Sequence, residues 1–312
     1  VEKSSSTKHP QSGSIITAAA LVAANFFYGT NVIAVKQIAP HHIQALGISF
    51  SRIFFTAVLL TMLPLFNGKK ERIEKKDYLL LMVAGLLGVT LNQTFSIMGI
   101  ASTNPIHSSL LIMSTPIIVT VLAAIFLKES FGGNKIIGLL LGLTGAFILI
   151  KSRATSGEVH PPTMLGDGLI LAGSVCYSTY LILIRKVSKK YSPITILRFV
   201  FLFGALFSLP FSLQSFATAD WAAFSGWDWF SILYIVVLGT LAANLLMNWG
   251  VQQWGPSKTG TFVYFQPVFG TLGAVLLMGE QFSAGKAIAG LLIVAGVWIT
   301  SLKLKKKESV KE

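Results

Sequence analysis

Residues 77–99, DYLLLMVAGLLGVTLNQTFSIMG, and residues 228–250, DWFSILYIVVLGTLAANLLMNWG, are two copies of one pattern. Each opens on Asp, carries Gly at its twelfth place and ends on Gly. Between those marks runs an apolar stretch long enough to cross a hydrocarbon core of about 30 Å as a helix. The offset of 151 residues pairs Asp77 with Asp228, Gly88 with Gly239 and Gly99 with Gly250. Continued along the chain, it pairs Pro105 with Pro256, Pro116 with Pro267, Glu129 with Glu280, Lys135 with Lys286, and Gly145 with Gly296. Eight matches in one register mark a duplication. Earlier in the halves the register drifts by a few residues, and Tyr28 falls with Tyr177 and Arg52 with Arg198.

Outward from that pair, the chain resolves into ten apolar segments: 14–38, 44–66, 77–99, 104–127, 133–151, 164–187, 193–216, 228–250, 256–279 and 284–302. Of the 312 residues, 53% are hydrophobic and 12% charged, with a mean hydropathy of +0.69. A soluble domain carries about 25% charged residues, so that class is excluded. The runs are continuous rather than alternating, which predicts helices and not barrel strands. The expected fold is an all-α integral membrane protein of ten transmembrane helices. The connections are short and leave no room for a soluble catalytic domain. The longest, 152–163, divides the chain. The expected organisation is a tail at 1–13, a first five-helix repeat at 14–151, an external linker at 152–163, a second repeat at 164–302 and a basic tail at 303–312. The first segment is long, is interrupted by Asn25, Tyr28 and Asn31 and shows no obvious small-residue cleavage site, so it is expected as a span rather than a secretory leader. The single Cys176 excludes an intrachain disulfide.

The net charge of +13 is spread between apolar segments rather than over one face, so it reads as a topology signal and not as a nucleic-acid surface. With the N-terminus in the cytoplasm, nineteen Lys and Arg fall inside and four outside, and Arg52 and Arg198 lie within spans. Both termini are therefore expected in the cytoplasm, the protein crossing the cell inner (plasma) membrane many times. Five spans per half is an odd number, so the second repeat must be inverted relative to the first. Inverted repeats suit alternating access, with a substrate site near the midplane between the halves. The alternative is a duplicated scaffold.

Several stretches resemble EamA-like members of the drug/metabolite transporter superfamily. They are Tyr28-Gly29-Thr30-Asn31 with Lys36, Pro40 and Arg52; Gly85-Leu86-Leu87-Gly88 with Asn92-Gln93; and Ser114-Thr115-Pro116 with Leu127-Lys128-Glu129. Second-half counterparts are Gly239-Thr240, Asn248-Trp249, Gln266-Pro267-Val268 and Gly279-Glu280. The resemblance spans nearly the whole chain. It implies ten helices in two inverted five-helix repeats and the export or exchange of small metabolites. Tyr28 departs from it, standing where the family more often has Trp.

Polar side chains in midspan are costly in lipid and usually face protein or a water-filled cavity. Candidates for binding a small-molecule substrate are Asn25, Tyr28 and Asn31 in the first span and Asn92 and Gln93 in the third. The second half offers Tyr177, Tyr180, Asn244, Asn248 and Trp249. Amides and phenols both donate and accept, which suits a zwitterion such as an amino acid; each residue could instead tie helices together. Pro116 and Pro267 are expected near the middle of spans four and nine, freeing the carbonyls of Ile112 and Val263. Ser109, Met113, Tyr264 and Gln266 would then line the same cavity. Arg52 lies about nine residues into its span and could grip a carboxylate or phosphate; an anchor reaching the headgroups is slightly favoured. Glu129 and Glu280 are expected as caps or gate elements at span ends.

No Asp or Glu stands in the middle of a span, and His107 is expected as a wet interfacial residue near a span end. Facilitated transport or exchange therefore needs fewer assumptions than proton coupling. Gly138 and Gly142, like Gly270 and Ala274, set small residues four apart, for close helix packing or a homodimer interface. No H-E-x-x-H, G-x-S-x-G or P-loop is present, so an enzyme is not expected, nor a cofactor or metal. Charge rings or carbonyl filters of a channel are also missing. Nucleotide-sugar and sugar-phosphate exchangers share the superfamily resemblance but need several cavity cations, and only Arg52 qualifies.

Overall fold

A computed structural model describes residues 11–39, 42–67, 71–127, 133–151, 162–188, 190–250, 253 and 262–301, and shows no strand among them. Glu129, most of the linker and both chain ends lie outside the described residues, as do the side chains of Pro116 and Tyr264.

The first half comprises α1 (Gln11–Ile38), α2 (Ala45–Asn67), α3 (Tyr78–Gly85), α4 (Asn92–Ser102), α5 (Pro105–Ile112), α6 (Thr115–Leu127) and α7 (Gly133–Lys151). The second half comprises α8 (Met164–Ile184), α9 (Pro193–Ala217), α10 (Gly226–Leu233), α11 (residues 243–250), α12 (Phe265–Met278) and α13 (Ala284–Ser301). Six helical stretches have the length and apolarity to cross a membrane: Ile15–Ile38, Ala45–Leu63, Lys75–Ser102, Met164–Ile184, Pro193–Ala217 and Gly226–Gly250. Four shorter apolar helices, Pro105–Val119, Ile136–Gly145, Phe265–Met278 and Ala284–Gly296, fall within the other four expected segments. Their outward side chains, such as Leu140, Leu276, Leu277 and Leu291, are apolar and exposed. That is the surface of a protein whose solvent is lipid.

Local chemistry sets the helix ends. Asn104 caps α5, its Oδ1 accepting from the amides of Ile106 at 2.8 Å and His107 at 3.4 Å, with Pro105 in the first turn. Ser225 and Asp228 form a reciprocal capping box on α10. Gly279, at φ 67°, ends α12 in the left-handed conformation that a side chain would resist.

Two features differ from the sequence expectation. The prolines do not kink continuous helices. The helix stops at Ile112, residues 113–114 turn, and Pro116 sits in the first turn of α6; Pro267 likewise sits in the first turn of α12. At those positions a missing N–H costs nothing. Between α3 and α4 the backbone widens into a π-helical segment, Leu86–Leu91, and between α10 and α11 into another, Tyr234–Ala242. These are the stretches quoted above as copies.

The helices pair in a pattern that exchanges the halves. α2 packs on α9 and α7 on α13, each with its own counterpart. The opening helices cross over: α1 packs against Tyr234–Ala242 and α12, and α8 against Leu86–Leu91, α4 and α6. Glycines let the backbones close. A Cβ on Gly296 would stand 2.5 Å from the carbonyl oxygen of Gly138 and 2.6 Å from the nitrogen of Gly142. The small-residue face of α7 is thus occupied by α13 of the same chain.

Candidate functional site

The stretch Tyr28–Asn31 shows how a local sequence builds an interface between halves. A Cβ on Gly29 would stand 2.5 Å from the carbonyl of Gln266, so only glycine admits α12 this close. Thr30 Oγ1 lies 2.5 Å from the Tyr234 hydroxyl. Asn31 is 4% exposed and packs against Gly239, and its Oδ1 has no hydrogen-bond partner among the described residues. One turn earlier, Asn25 is fully buried: its Nδ2 donates to the Leu21 carbonyl at 2.7 Å and its Oδ1 accepts from Gln266 Nε2 at 3.0 Å.

Arg52 departs from the expected headgroup anchor. Its side chain is 7% exposed, and its guanidinium donates through Nη2 to the carbonyl of Gly239 at 3.1 Å, inside the second π-helical segment. Nε has no partner, and no carboxylate pairs with it among the described residues. Its electrostatic neighbourhood holds Tyr28, which also senses Tyr177 and Tyr180. The rings of Tyr177 and Tyr180 lie 5.7 Å apart. Tyr28 and Tyr177 are half-buried and Tyr180 is buried. Gly88 makes room for Tyr180, whose ring would collide with any Cβ there.

The structure therefore brings Tyr28, Asn31, Arg52, Tyr177 and Tyr180 together, and sets Asn25 with Gln266 one turn away. Gln93 is 6% exposed with Oε1 unpartnered among the described residues. The remaining candidates serve the helices more visibly. Asn92 Nδ2 donates to the Gly173 carbonyl at 2.9 Å, joining α4 to α8. Asn244 and Asn248 donate back to Thr240 and Asn244 carbonyls at 2.7 and 2.9 Å. Ser109 donates to the Pro105 carbonyl at 2.8 Å and Met113 is buried, while Trp249 is half-buried. Arg198 lies 5.6 Å over the Phe199 ring.

The second correction concerns His107, which is 0% exposed rather than wet. Its Nδ1 lies 3.2 Å from Oδ2 of Asp167, a buried carboxylate in the first turn of α8. Glu280, at the end of α12, is 3% exposed and accepts from Asn104 Nδ2 at 2.6 Å. Lys36 is also buried and donates to the Ala101 carbonyl at 3.0 Å. Sequence reasoning passed over Thr103 and Asp167, and quoted Lys36 without giving it a role. The available signal was topological, because the expected ten-span arrangement would put all three at one end of the bundle.

The profile of the EamA-like transporter family matches residues 15–151 and again residues 164–302. The chain belongs to the EamA-like transporter family. YetK of Bacillus subtilis (strain 168), an uncharacterized transporter, is 26% identical over 289 residues, covering 93% of this chain and 88% of that one. Protein WALLS ARE THIN 1 of Arabidopsis thaliana is 25% identical over 297 residues, covering 81% and 76%. A solved crystal structure at 19% identity superposes with a TM-score of 0.63 over 91% of this chain and 96% of its own, a likeness of fold. Membership makes the protein a multi-pass membrane transporter of the drug/metabolite transporter superfamily. Of the family motif residues quoted from the first span, Gly29, Thr30 and Asn31 build the contact between α1, α12 and the second π-helical segment.

Proposed function

We propose that the protein is a secondary transporter that exports or exchanges small polar metabolites, amino acids foremost, by alternating access of two inverted five-helix halves. Both termini are in the cytoplasm and the membrane is the cell inner membrane. The substrate sits between the halves against Tyr28, Arg52 and Tyr177, with Asn92, Asn244 and Trp249 bordering the path. Arg52 carries this reading: a guanidinium held away from water with no carboxylate beside it among the described residues. A buried ion without a counter-ion is expensive, and intramembrane charge by default marks a substrate pathway. A carboxylate on the solute supplies the missing charge, and the phenols meet its polar remainder. The crossing of α1 and α8 into the opposite halves supports alternating access, because a tilt of one half changes both contacts together.

The test is a proteoliposome panel of radiolabelled amino acids, sugars and nucleobases. Efflux of a transported amino acid should accelerate when the same amino acid is present on the opposite side. Asn92→Ala and Asn244→Ala also remove the bonds to the Gly173 and Thr240 carbonyls, so affinity is read per inserted molecule and should weaken about five- to 150-fold, the range for one further hydrogen bond to the solute of about 1–3 kcal/mol. No movement of any amino acid, with sugars or nucleobases carried instead, would reject the substrate class.

A further inference from the structure

One end of the bundle keeps several ionisable groups out of water. His107 is 0% exposed and Asp167 1%. Nδ1 of His107 lies 3.2 Å from Oδ2 of Asp167, whose Oδ1 accepts from the Thr103 hydroxyl at 2.6 Å. Nε2 of His107 is buried with no hydrogen-bond partner among the described residues. The contact joins the halves, since Thr103 and His107 belong to the first and Asp167 opens the second. The charged groups at this end on α1, the α12–α13 connection and α13 are Lys36, Glu280 and Lys286. Lys36 donates to the Ala101 carbonyl at 3.0 Å, Asn104 donates to Glu280 at 2.6 Å, and Lys286 donates to the Gln281 carbonyl at 3.1 Å. α4 and α6 carry no ionisable residue, and α7 carries only Lys135 and Lys151, towards its two ends.

The charge arithmetic at the pair is simple. With imidazole protonated, His107 and Asp167 sum to zero. With the proton gone, a neutral imidazole can still donate from Nδ1, but the charge-assisted contact between the halves becomes an ordinary hydrogen bond, about half as strong. Proton occupancy therefore favours this end closed, and proton loss favours it open, the linkage that makes a histidine a switch.

We propose that the His107–Asp167 pair is the proton-binding site that couples transport to proton movement, its occupancy holding this end of the bundle shut. The proposal rests on the transport reading for its purpose. Under the orientation proposed above this is the outer end. A proton taken from outside closes it, the proton leaves once the other end is open, and solute moves outward against proton entry. Proton-linked exchange then replaces the facilitated mode suggested by the lack of a midspan carboxylate.

The test needs no solute, so its failure is separate from failure of the solute panel. Spin labels are placed at Met164→Cys and Phe282→Cys, both exposed and beside the cluster, in a Cys176→Ala background. Their separation is measured in liposomes from about pH 5 to about pH 8, where histidine changes charge. The long-distance population should grow as pH rises. Glu280→Gln should keep that growth, while His107→Gln and Asp167→Asn should abolish it. Thr103→Val removes a donor to the carboxylate, which makes the pair hold its proton more tightly, so the transition should move to higher pH. A flat response in the parent overturns the proposal, as does a shift that survives in both pair variants or vanishes only in Glu280→Gln. If a pair variant fails to insert, the parent response and the Thr103→Val transition still decide; an unmoved transition counts against the pair.

Discussion

Arg52→Met keeps an unbranched apolar stem and removes only the charge, so its effects on folding and on transport can be separated. In the folded protein the guanidinium makes one hydrogen bond, to the Gly239 carbonyl at 3.1 Å, and leaves Nε unpartnered. Losing a hydrogen bond from a charged donor costs about 1.5–3 kcal/mol. Removing a buried ion that lacks a counter-ion returns several kcal/mol, so the two nearly cancel and stability should stay within about 2 kcal/mol of the parent or rise. Transport moves the other way. If the guanidinium holds the solute carboxylate, the same 1.5–3 kcal/mol is lost from binding, roughly 12- to 150-fold in apparent affinity. Arg52→Lys keeps the charge but not the planar fork, and should fall between. Thermal unfolding of the purified variants gives the first quantity. Initial rates in proteoliposomes below saturation, normalised to inserted protein, give the second. A variant that unfolds many degrees early yet transports as well per inserted molecule would refute the argument and make Arg52 a structural brace for the π-helical segment.

Two further perturbations test the packing and the orientation. Gly296→Val should drive α13 off α7 and lower the unfolding temperature, overpacking costing about 1–3 kcal/mol or more; Gly168→Ala, where a Cβ meets nothing within 4 Å, should raise it through a helix-propensity gain of about 0.5–1 kcal/mol. Compartment reporters fused at Glu312 and within residues 152–163 should read opposite sides of the membrane, and equal readings would remove the inverted halves.

Helix positions were legible because apolar runs and their punctuation need nothing beyond local sequence. Asn104-Pro105 and Ser192-Pro193 start helices where their capping side chains require. The 151-residue register was equally open, and its glycines proved to be contact points: Gly88 under the Tyr180 ring, Gly239 under Asn31, Gly145 and Gly296 between α7 and α13. The wide turns at Leu86–Leu91 and Tyr234–Ala242 were not legible, because a π-helical segment has no composition of its own and owes its shape to the helices packed on it. The prolines were visible but misplaced, since periodicity alone does not say that the helix halts at Ile112. His107 was misjudged for a related reason. Its partner is 60 residues away, and burial at a helix end depends on neighbours that only topology supplies.

The pairing of α7 with α13 also sets an order of events during synthesis. α7 is complete at Lys151, and the helix that covers its glycine face ends only at Ser301. At about 5–20 residues per second, the ribosome takes roughly 8 to 30 s to deliver that partner. Through that interval α7 lacks the helix that covers its glycine face, and a helix of the second half is the one that seals the first. A chain broken off before α13 thus leaves its damage 150 residues upstream of the break, where quality control has a smooth small-residue surface to recognise.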